Sequence, residues 1–156
     1  MGRARVAQKE NGDLKKVVPM KDKNQKKPAV CRDKFLIVED EVSLAELLSF
    51  ALKRQGETEI ATNGELALEK VREKHFDVII CDVGMPVMDG IEFYKKAVAS
   101  DPDIGKRFIF YTGLPTPENI EFFENENVKY LIKPASLMEL QTLISDILGE
   151  TAAQQS

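Results

Sequence analysis

Acidic, hydroxyl and basic side chains follow the apolar runs of this sequence in a pattern that could hold a phosphoryl group and a divalent metal. Asp82 comes directly after the apolar run Val78–Cys81, and the Gly, Pro and Asp-Gly residues behind it predict that the chain turns there. Further apolar runs end in the same way, at Glu39 and Asp40, at Thr112 and at Lys133. Because chemistry in an open parallel sheet lies at the carboxyl ends of its strands, we expect these side chains to converge.

Asp82 has the chemistry of a phosphoryl acceptor. A carboxylate is a nucleophile that can take a phosphoryl group as an acyl phosphate, and catalysis then depends on positioning and positive charge. Three carboxylates close together raise one another's pKa unless a cation joins them, and Mg²⁺ prefers about six oxygen ligands, several of them water. Glu39, Asp40 and Asp82 therefore predict a Mg²⁺ site. Taken singly, these acids could also be solvated, Thr112 could simply end a strand and Lys133 could be a surface lysine.

Strand-like and helix-like stretches alternate from Phe35 onward. Apolar runs predict five strands, at residues 35–38, 58–61, 78–81, 108–111 and 130–132. Helical spacing of apolar residues predicts five helices, at residues 42–55, 63–74, 90–99, from 117 onward and 137–149. Thr116 and the capping box at Ser136 predict helix starts, and Gly56 and Gly149 predict helix ends. Strict alternation demands a parallel sheet covered by helices on both faces.

Composition divides the chain into unequal parts. A chain of 156 residues, 43% of them apolar, suits one domain with a packed core. Residues 1–34 carry eleven Lys or Arg against four Asp or Glu and contain no aromatic residue, so they cannot bury enough apolar surface to offset their ordering entropy. We predict a flexible basic arm at residues 1–33, one domain at residues 34–149 and a short polar tail at residues 150–156. The arm could contact nucleic acid, an acidic partner or a lipid headgroup, or could be solvated without a partner.

The sequence carries no signal for secretion or membrane insertion. No apolar run approaches the roughly 20 residues of a membrane span, and the N-terminus lacks a signal-peptide hydrophobic region. The cysteines, Cys31 and Cys81, make no disulfide framework, and Cys81 falls in a predicted core strand. These features predict a protein of the reducing cytoplasm.

Four segments in order resemble the receiver domain of two-component response regulators. They are VEDE at 38–41, CDVGMPVMDG at 81–90, YTG at 111–113 and YLIKP at 130–134. The resemblance covers about residues 34–149. It implies a flavodoxin-like α/β fold, in which a five-stranded doubly wound sheet has the order 2-1-3-4-5 and is covered by five helices.

The resemblance also implies a role for each site residue. Asp82 would accept the phosphoryl group. The side chains of Glu39, Asp40 and Asp82 would hold Mg²⁺ together with the backbone carbonyl of Gly84. Lys133 would pair with Asp82 and then with a phosphoryl oxygen.

The remaining implied roles concern the response to phosphorylation. Thr112 would donate its hydroxyl to a phosphoryl oxygen, and Tyr130 occupies the place of an aromatic that swings between exposed and buried positions. The bond before Pro134 would be cis. Leu114 and Gly84 occupy the positions that tune the rate in the family. Residues 124–128 replace its usual Gly-Ala pair, and an Asn there can take the left-handed turn.

The leading hypothesis is a signalling switch and not a turnover enzyme. A partner histidine kinase or phosphotransfer protein would phosphorylate Asp82, and the altered surface would bind an output protein of unknown identity. No DNA-binding domain follows residue 149, which favours a stand-alone receiver.

Three alternative functions fit the sequence less well than a signalling switch. A degenerate receiver that serves only for docking conflicts with the presence of Asp82, Thr112 and Lys133. An aspartyl phosphohydrolase would need a second acid where Gly84 stands. A flavodoxin-like cofactor binder would need a phosphate-cradling loop after the first strand, where the acids at 39–41 would repel phosphate.

Overall fold

Strands and helices alternate along the chain in the computed structural model, which describes residues 31–155. The strands are β1 (Asp33–Val38), β2 (Gly56–Ala61), β3 (Val78–Cys81), β4 (Phe108–Thr112) and β5 (Lys129–Ile132). The helices are α1 (Val42–Leu52), α2 (Gly64–Glu73), α3 (Gly90–Ser100), α4 (Pro117–Asn125) and α5 (Leu137–Gln155), with a 3₁₀ helix at Pro102–Arg107. The predicted basic arm lies outside the described residues except for its last three positions. No helix within residues 31–155 is long and apolar enough to cross a membrane.

The strands form one parallel sheet in the order β2-β1-β3-β4-β5, which confirms the predicted fold. The register sets Val38 of β1 opposite Cys81 of β3. It also sets Thr112, the last residue of β4, opposite Ile132 of β5. The residues that follow Val38, Cys81 and Ile132 therefore leave the sheet at the same edge, beside Thr112.

Each face of the sheet packs against its own helices. Helices α2, α3 and α4 cover what we call the aromatic face, whose buried rings belong to Phe76, Phe93, Tyr94, Phe108, Phe110 and Phe123. Helices α1 and α5 cover what we call the aliphatic face, where the buried helix residues are Ala45, Leu48, Leu52, Leu140, Ile144 and Ile147. Strand β3 is buried along its whole length, as the inner position in a parallel sheet requires.

Side-chain caps start α4 and α5 where the sequence predicted them. The Asn119 N–H donates to the Thr116 hydroxyl at 3.2 Å, and the Thr116 N–H donates to Asn119 Oδ1 at 3.0 Å. Ser136 and Glu139 make the same reciprocal pair, at 3.2 and 2.7 Å. Both pairs satisfy backbone donors that a helix start leaves without a partner.

Two predicted helix ends were wrong. Helix α1 ends at Leu52, and Gly56 is the first residue of β2, where a Cβ would collide with the Asp33 carbonyl oxygen. Close approach of β1, and not helix termination, therefore requires this glycine. Helix α5 continues through Gly149 to Gln155 and includes most of the predicted polar tail, since Gly149 does not take the positive φ that ends a helix.

Two connections set the positions of β4 and β5. The 3₁₀ helix before β4 was not predicted; Asp101 caps it by accepting from the Asp103 N–H at 3.1 Å, and Ile104 is buried. Between α4 and β5, Asn127 has a φ of 53°, which confirms the left-handed turn expected of an Asn in this stretch.

Candidate functional site

Three carboxylates meet where β1 and β3 end. Glu39 and Asp40 follow β1 and Asp82 follows β3, and one oxygen of each carboxylate lies within 4.8 Å of the others. The Asp82 N–H donates to the Val38 carbonyl oxygen at 2.9 Å, which ties the two strand ends together. The side chains of Glu39 and Asp82 are 4% and 12% exposed, whereas Asp40 is exposed. The cluster therefore has a buried side and an open side.

The Glu39 carboxylate is held from two directions. Lys133 Nζ donates to Oε2 at 2.7 Å, and the Glu41 N–H donates to Oε1 at 3.1 Å. The pKa of Glu39 lies above its ordinary value, mainly because the carboxylate is buried, and the nearby charge of Asp82 raises the pKa further. The two hydrogen bonds and the charge of Lys133 lower the pKa but do not outweigh burial. A buried carboxylate beside a second one is a group whose charged form a further cation would stabilise.

The two carboxylate oxygens of Asp82 have different neighbours. Oδ1 accepts from the Val83 N–H at 2.8 Å, and Oδ2 lies 3.7 Å from Lys133 Nζ. Gly90, the first residue of α3, packs directly on this strand end, because a Cβ there would collide with the Asp82 carbonyl oxygen. The Asp-Gly pair at 89–90 thus permits the close approach of α3 to Asp82.

Lys133 brings a positive charge to these carboxylates from the end of β5. Burial lowers the pKa of Lys133, but the hydrogen bond to Glu39 and the charge of Asp82 outweigh it, so the pKa lies above its ordinary value and the side chain is charged at neutral pH. The resemblance implied a pair with Asp82, yet the shorter contact is with Glu39, whose longer side chain reaches the ammonium. The Lys133–Pro134 peptide bond is cis, as the resemblance implied.

An open cleft of about 380 Å³ lies beside Asp82. Its lining residues are Asp82, Val83, Gly84, Thr112, Gly113, Leu114, Asn119 and Lys133. Thr112 is 4% exposed, and its hydroxyl makes no hydrogen bond to any residue within 31–155. At Gly84 nothing lies within 4 Å of the position that a Cβ would take, so the cleft is unobstructed there. The cleft therefore combines a carboxylate, an ammonium and an available hydroxyl donor.

The loop from Asp82 to α3 contains strain that the sequence did not reveal. Val87 has a φ of 73°, which is unfavourable for a β-branched residue. The Met88 N–H donates to the Pro86 carbonyl oxygen at 2.8 Å across Val87, which makes a γ-turn. The Gly64 N–H donates to the Met88 carbonyl oxygen at 3.1 Å and anchors the turn to α2.

Two tyrosines flank the site on different sides. Tyr111 was missed by sequence reasoning: its ring centroid lies 5.3 Å from Lys133 Nζ, and its hydroxyl donates to the Ala135 carbonyl oxygen at 3.4 Å. The available signal was its place directly before Thr112 at a strand end. Tyr130 was predicted, and it is half-buried with its ring centroid 4.9 Å from that of Phe123.

Comparison with known proteins gives a family match over the part of the chain that forms the sheet and its helices. The family model of the response regulator receiver domain matches residues 35–145, from β1 into α5. The chain belongs to this family. The match confirms the resemblance to receiver domains that the sequence motifs indicated, and the strand order agrees with it.

Curated relatives of this receiver domain include proteins of very different length. It is 37% identical over 124 residues to the transcriptional regulatory protein ZraR of Klebsiella oxytoca, a match that covers 78% of the chain and 28% of ZraR. It is 32% identical over 117 residues to the response regulator receiver protein CpdR of Brucella abortus, which covers 74% of the chain and 96% of CpdR. The chain thus spans little more than a quarter of ZraR and nearly all of CpdR.

Solved structures give the same fold. A CheY-like response regulator receiver domain protein from Methanospirillum hungatei has a TM-score of 0.73 at 28% identity, over 79% of the chain and 98% of that structure. Chemotaxis protein CheY4 of Vibrio cholerae has a TM-score of 0.68 at 30% identity, over 75% and 99%.

Proposed function

We propose that this receiver domain is a signalling switch that is phosphorylated on Asp82. The observation that carries the proposal is the convergence of the Asp82 carboxylate, the Lys133 ammonium and the Thr112 hydroxyl at one open cleft. Membership of the family supports a phosphohistidine donor, carried by a partner histidine kinase or phosphotransfer protein.

In the proposed transfer an oxygen of Asp82 attacks the donor phosphorus. The bond from phosphorus to the imidazole nitrogen breaks, and its electron pair stays on the imidazole. Lys133 is charged at neutral pH and lies 3.7 Å from the Asp82 carboxylate, so it can neutralise charge on the phosphoryl oxygens. The Val83 N–H fixes the orientation of the Asp82 carboxylate.

The carboxylate cluster fits a Mg²⁺ ion. Glu39, Asp40 and Asp82, with the carbonyl oxygen of Gly84, would supply the oxygen ligands that Mg²⁺ prefers. When bound, Mg²⁺ supplies positive charge to the carboxylates and the phosphoryl oxygens. The raised pKa of the buried Glu39 supports this assignment, because its charged form lacks full compensation within the described residues.

The response to phosphorylation starts at Thr112. Its hydroxyl lines the cleft and has no hydrogen-bond partner within residues 31–155, so it can donate to a phosphoryl oxygen. Tyr130 pairs in register with Phe110, two residues before Thr112, and is half-buried. A shift of Thr112 therefore moves the packing beneath Tyr130 and changes the surface of α4, β5 and α5.

The proposal extends to the organisation of the chain. Residues 34–149 carry the switch, which works in the cytoplasm and acts on an output protein through its altered surface. The basic residues 1–33 are dispensable for phosphorylation of Asp82, because residues 1–34 hold eleven Lys or Arg against four acids, contain no aromatic residue and carry none of the proposed site residues.

Intact-mass analysis with acetyl phosphate and Mg²⁺ tests the proposal. The wild type gains one phosphoryl group, and Asp82→Asn gains none because the nucleophile is lost. Asp89→Asn is the matched control, since Asp89 caps α3 by accepting from the Glu92 N–H at 2.8 Å, and it labels like wild type. Equal labelling of wild type and Asp82→Asn overturns the assignment.

A further inference from the structure

Tyr111 lies between the cleft and the aliphatic face. It is the penultimate residue of β4 and is 9% exposed. It packs in the cluster formed with α1 and α5, which includes Leu48 and Leu140. Its ring therefore contacts both the buried residues of the aliphatic face and the Lys133 ammonium.

The ring and the ammonium are placed for a cation–π contact. Lys133 Nζ lies 5.3 Å from the ring centroid, inside the roughly 6 Å within which such contacts are attractive. Lys133 is only 21% exposed, so solvent screens the contact less than it would at an open surface. The attraction comes from the ring itself and does not depend on the charge of any carboxylate.

The contact with the ring matters because the other two partners of Lys133 both take part in the proposed reaction. Its ammonium lies 2.7 Å from Glu39 and 3.7 Å from Asp82. Both carboxylates gain a new partner in the proposed reaction. A lysine on a flexible four-carbon stem would lose its position when those contacts change, unless something else holds it.

We propose that Tyr111 is a positioning residue, whose ring keeps the Lys133 ammonium at the cleft while Glu39 and Asp82 engage other partners. This inference rests on the proposed phosphorylation of Asp82. The ring carries the effect and the hydroxyl does not, because the hydroxyl bond to Ala135 is long at 3.4 Å. The Lys133 backbone is fixed separately, by its N–H donating to the Thr112 carbonyl oxygen at 2.8 Å.

The test compares Tyr111→Phe, which keeps the ring, with Tyr111→Leu, which removes it. We expect Tyr111→Phe to be phosphorylated by acetyl phosphate and Mg²⁺ within roughly twofold of wild type, and Tyr111→Leu roughly five- to thirtyfold more slowly. The second readout is the NMR shift of the Lys133 methylene next to the ammonium, measured without phosphate or metal. The ring-current shift should persist in Tyr111→Phe and vanish in Tyr111→Leu.

Tyr94→Leu is the matched control, because Tyr94 is also a buried tyrosine but lies on the aromatic face. It should label like wild type and leave the Lys133 shift unchanged. If Tyr111→Leu does not fold, Tyr111→Met removes the ring with an unbranched, flexible side chain that adapts to the space left. A ring-free variant that labels at the wild-type rate, or keeps the Lys133 shift, overturns the inference. If wild type fails to label, the proposed function fails, while the Lys133 shift still decides the role of Tyr111.

Discussion

The aromatic and aliphatic faces each contribute one of the two β4 residues that precede Thr112 at the site. Phe110 packs in the aromatic face and Tyr111 in the aliphatic face, because side chains alternate along a strand. On the aromatic face, rings follow one another from Tyr94 through Phe110 and Phe123 to Tyr130, at centroid separations of 5.8, 4.7 and 4.9 Å. On the aliphatic face, the Tyr111 ring contacts Lys133, and the buried residues of α1 and α5 are all aliphatic.

This difference separates the chemistry of the site from its transmission. The aliphatic face contacts Lys133, whose charge would act during the proposed phosphoryl transfer. The aromatic face joins the Thr112 side of β4 to Tyr130 through large rigid rings, and close-packed rings respond to a shift by changing between discrete arrangements. We therefore expect substitutions beside Lys133 to change the phosphorylation rate, and substitutions among the rings to change stability and response.

Lys133→Met should have the largest effect. It removes the cation from Glu39, Asp82 and the phosphoryl oxygens, so phosphorylation by acetyl phosphate should slow by about a hundredfold or more, as when an electrostatic donor is lost. An intact-mass time course measures the rate. Lys129→Met, at the other end of β5, is the control, since Lys129 pairs with the exposed Glu150 and should be dispensable. Equal rates for the two variants would contradict the role of Lys133.

Thr112→Ala should leave phosphorylation largely intact but weaken the response. A hydrogen bond to a charged oxygen contributes about 1.5–3 kcal/mol, enough to change a two-state population roughly tenfold or more. The readout is the shift of the Tyr130 resonances on adding beryllium fluoride and Mg²⁺. Thr112→Ser keeps the hydroxyl and should respond like wild type. A full wild-type response in Thr112→Ala would leave Thr112 as no more than the end of β4.

Phe123→Leu should destabilise the fold by about 1.5 kcal/mol in urea denaturation and reduce the Tyr130 response, while phosphorylation of Asp82 keeps its rate. Phe123 is fully buried between Phe110 and Tyr130. Ile144→Val on the aliphatic face costs a similar amount, about 0.5–1.5 kcal/mol, but should preserve the response. Loss of the response in both variants would mean that stability alone explains it.

Tyr94→Phe should have the smallest effect, about 0.5–1 kcal/mol at neutral pH, because its bond to Glu126 is long at 3.3 Å. Burial, with the charge of Glu126, raises the pKa of Tyr94 to about 12. The folded state keeps a proton that the unfolded state loses near pH 10, so this stabilisation is complete below about pH 10 and is lost as pH rises toward 12. Unfolding curves across that range should fall more steeply for wild type than for Tyr94→Phe. Parallel curves would remove Tyr94 as the titrating group.

The elements were predictable where one local rule dominates. The β3 bounds, the caps at Thr116 and Ser136 and the sheet order followed from apolar runs, capping residues and the family resemblance. Gly56 was misassigned because a glycine signals either a helix end or a close approach of another strand, and only the tertiary structure decides between them. Gly149 was misassigned because a helix interior tolerates a glycine, so the residue alone does not show that the helix ends there.

The convergence of the candidate site residues was predictable from the sequence, but their contacts were not. Strand ends indicated which side chains converge, since parallel strands share one edge. They could not indicate that Lys133 lies closer to Glu39 than to Asp82, or that Tyr111 contacts it, because these distances depend on side-chain lengths and rotamers. The γ-turn at Val87 contradicts local preference and therefore has no sequence signal.

The most direct test of the separation between the two faces is the NMR spectrum of the wild type before and after adding beryllium fluoride and Mg²⁺. We expect Thr112, Tyr130 and the rings between them to shift, and Leu48 and Leu52 of α1, within the aliphatic face, to stay in place. Asp82→Asn should show none of these changes. A Tyr130 that stays unchanged while Thr112 shifts, or a spectrum that changes equally on both faces, would contradict the account.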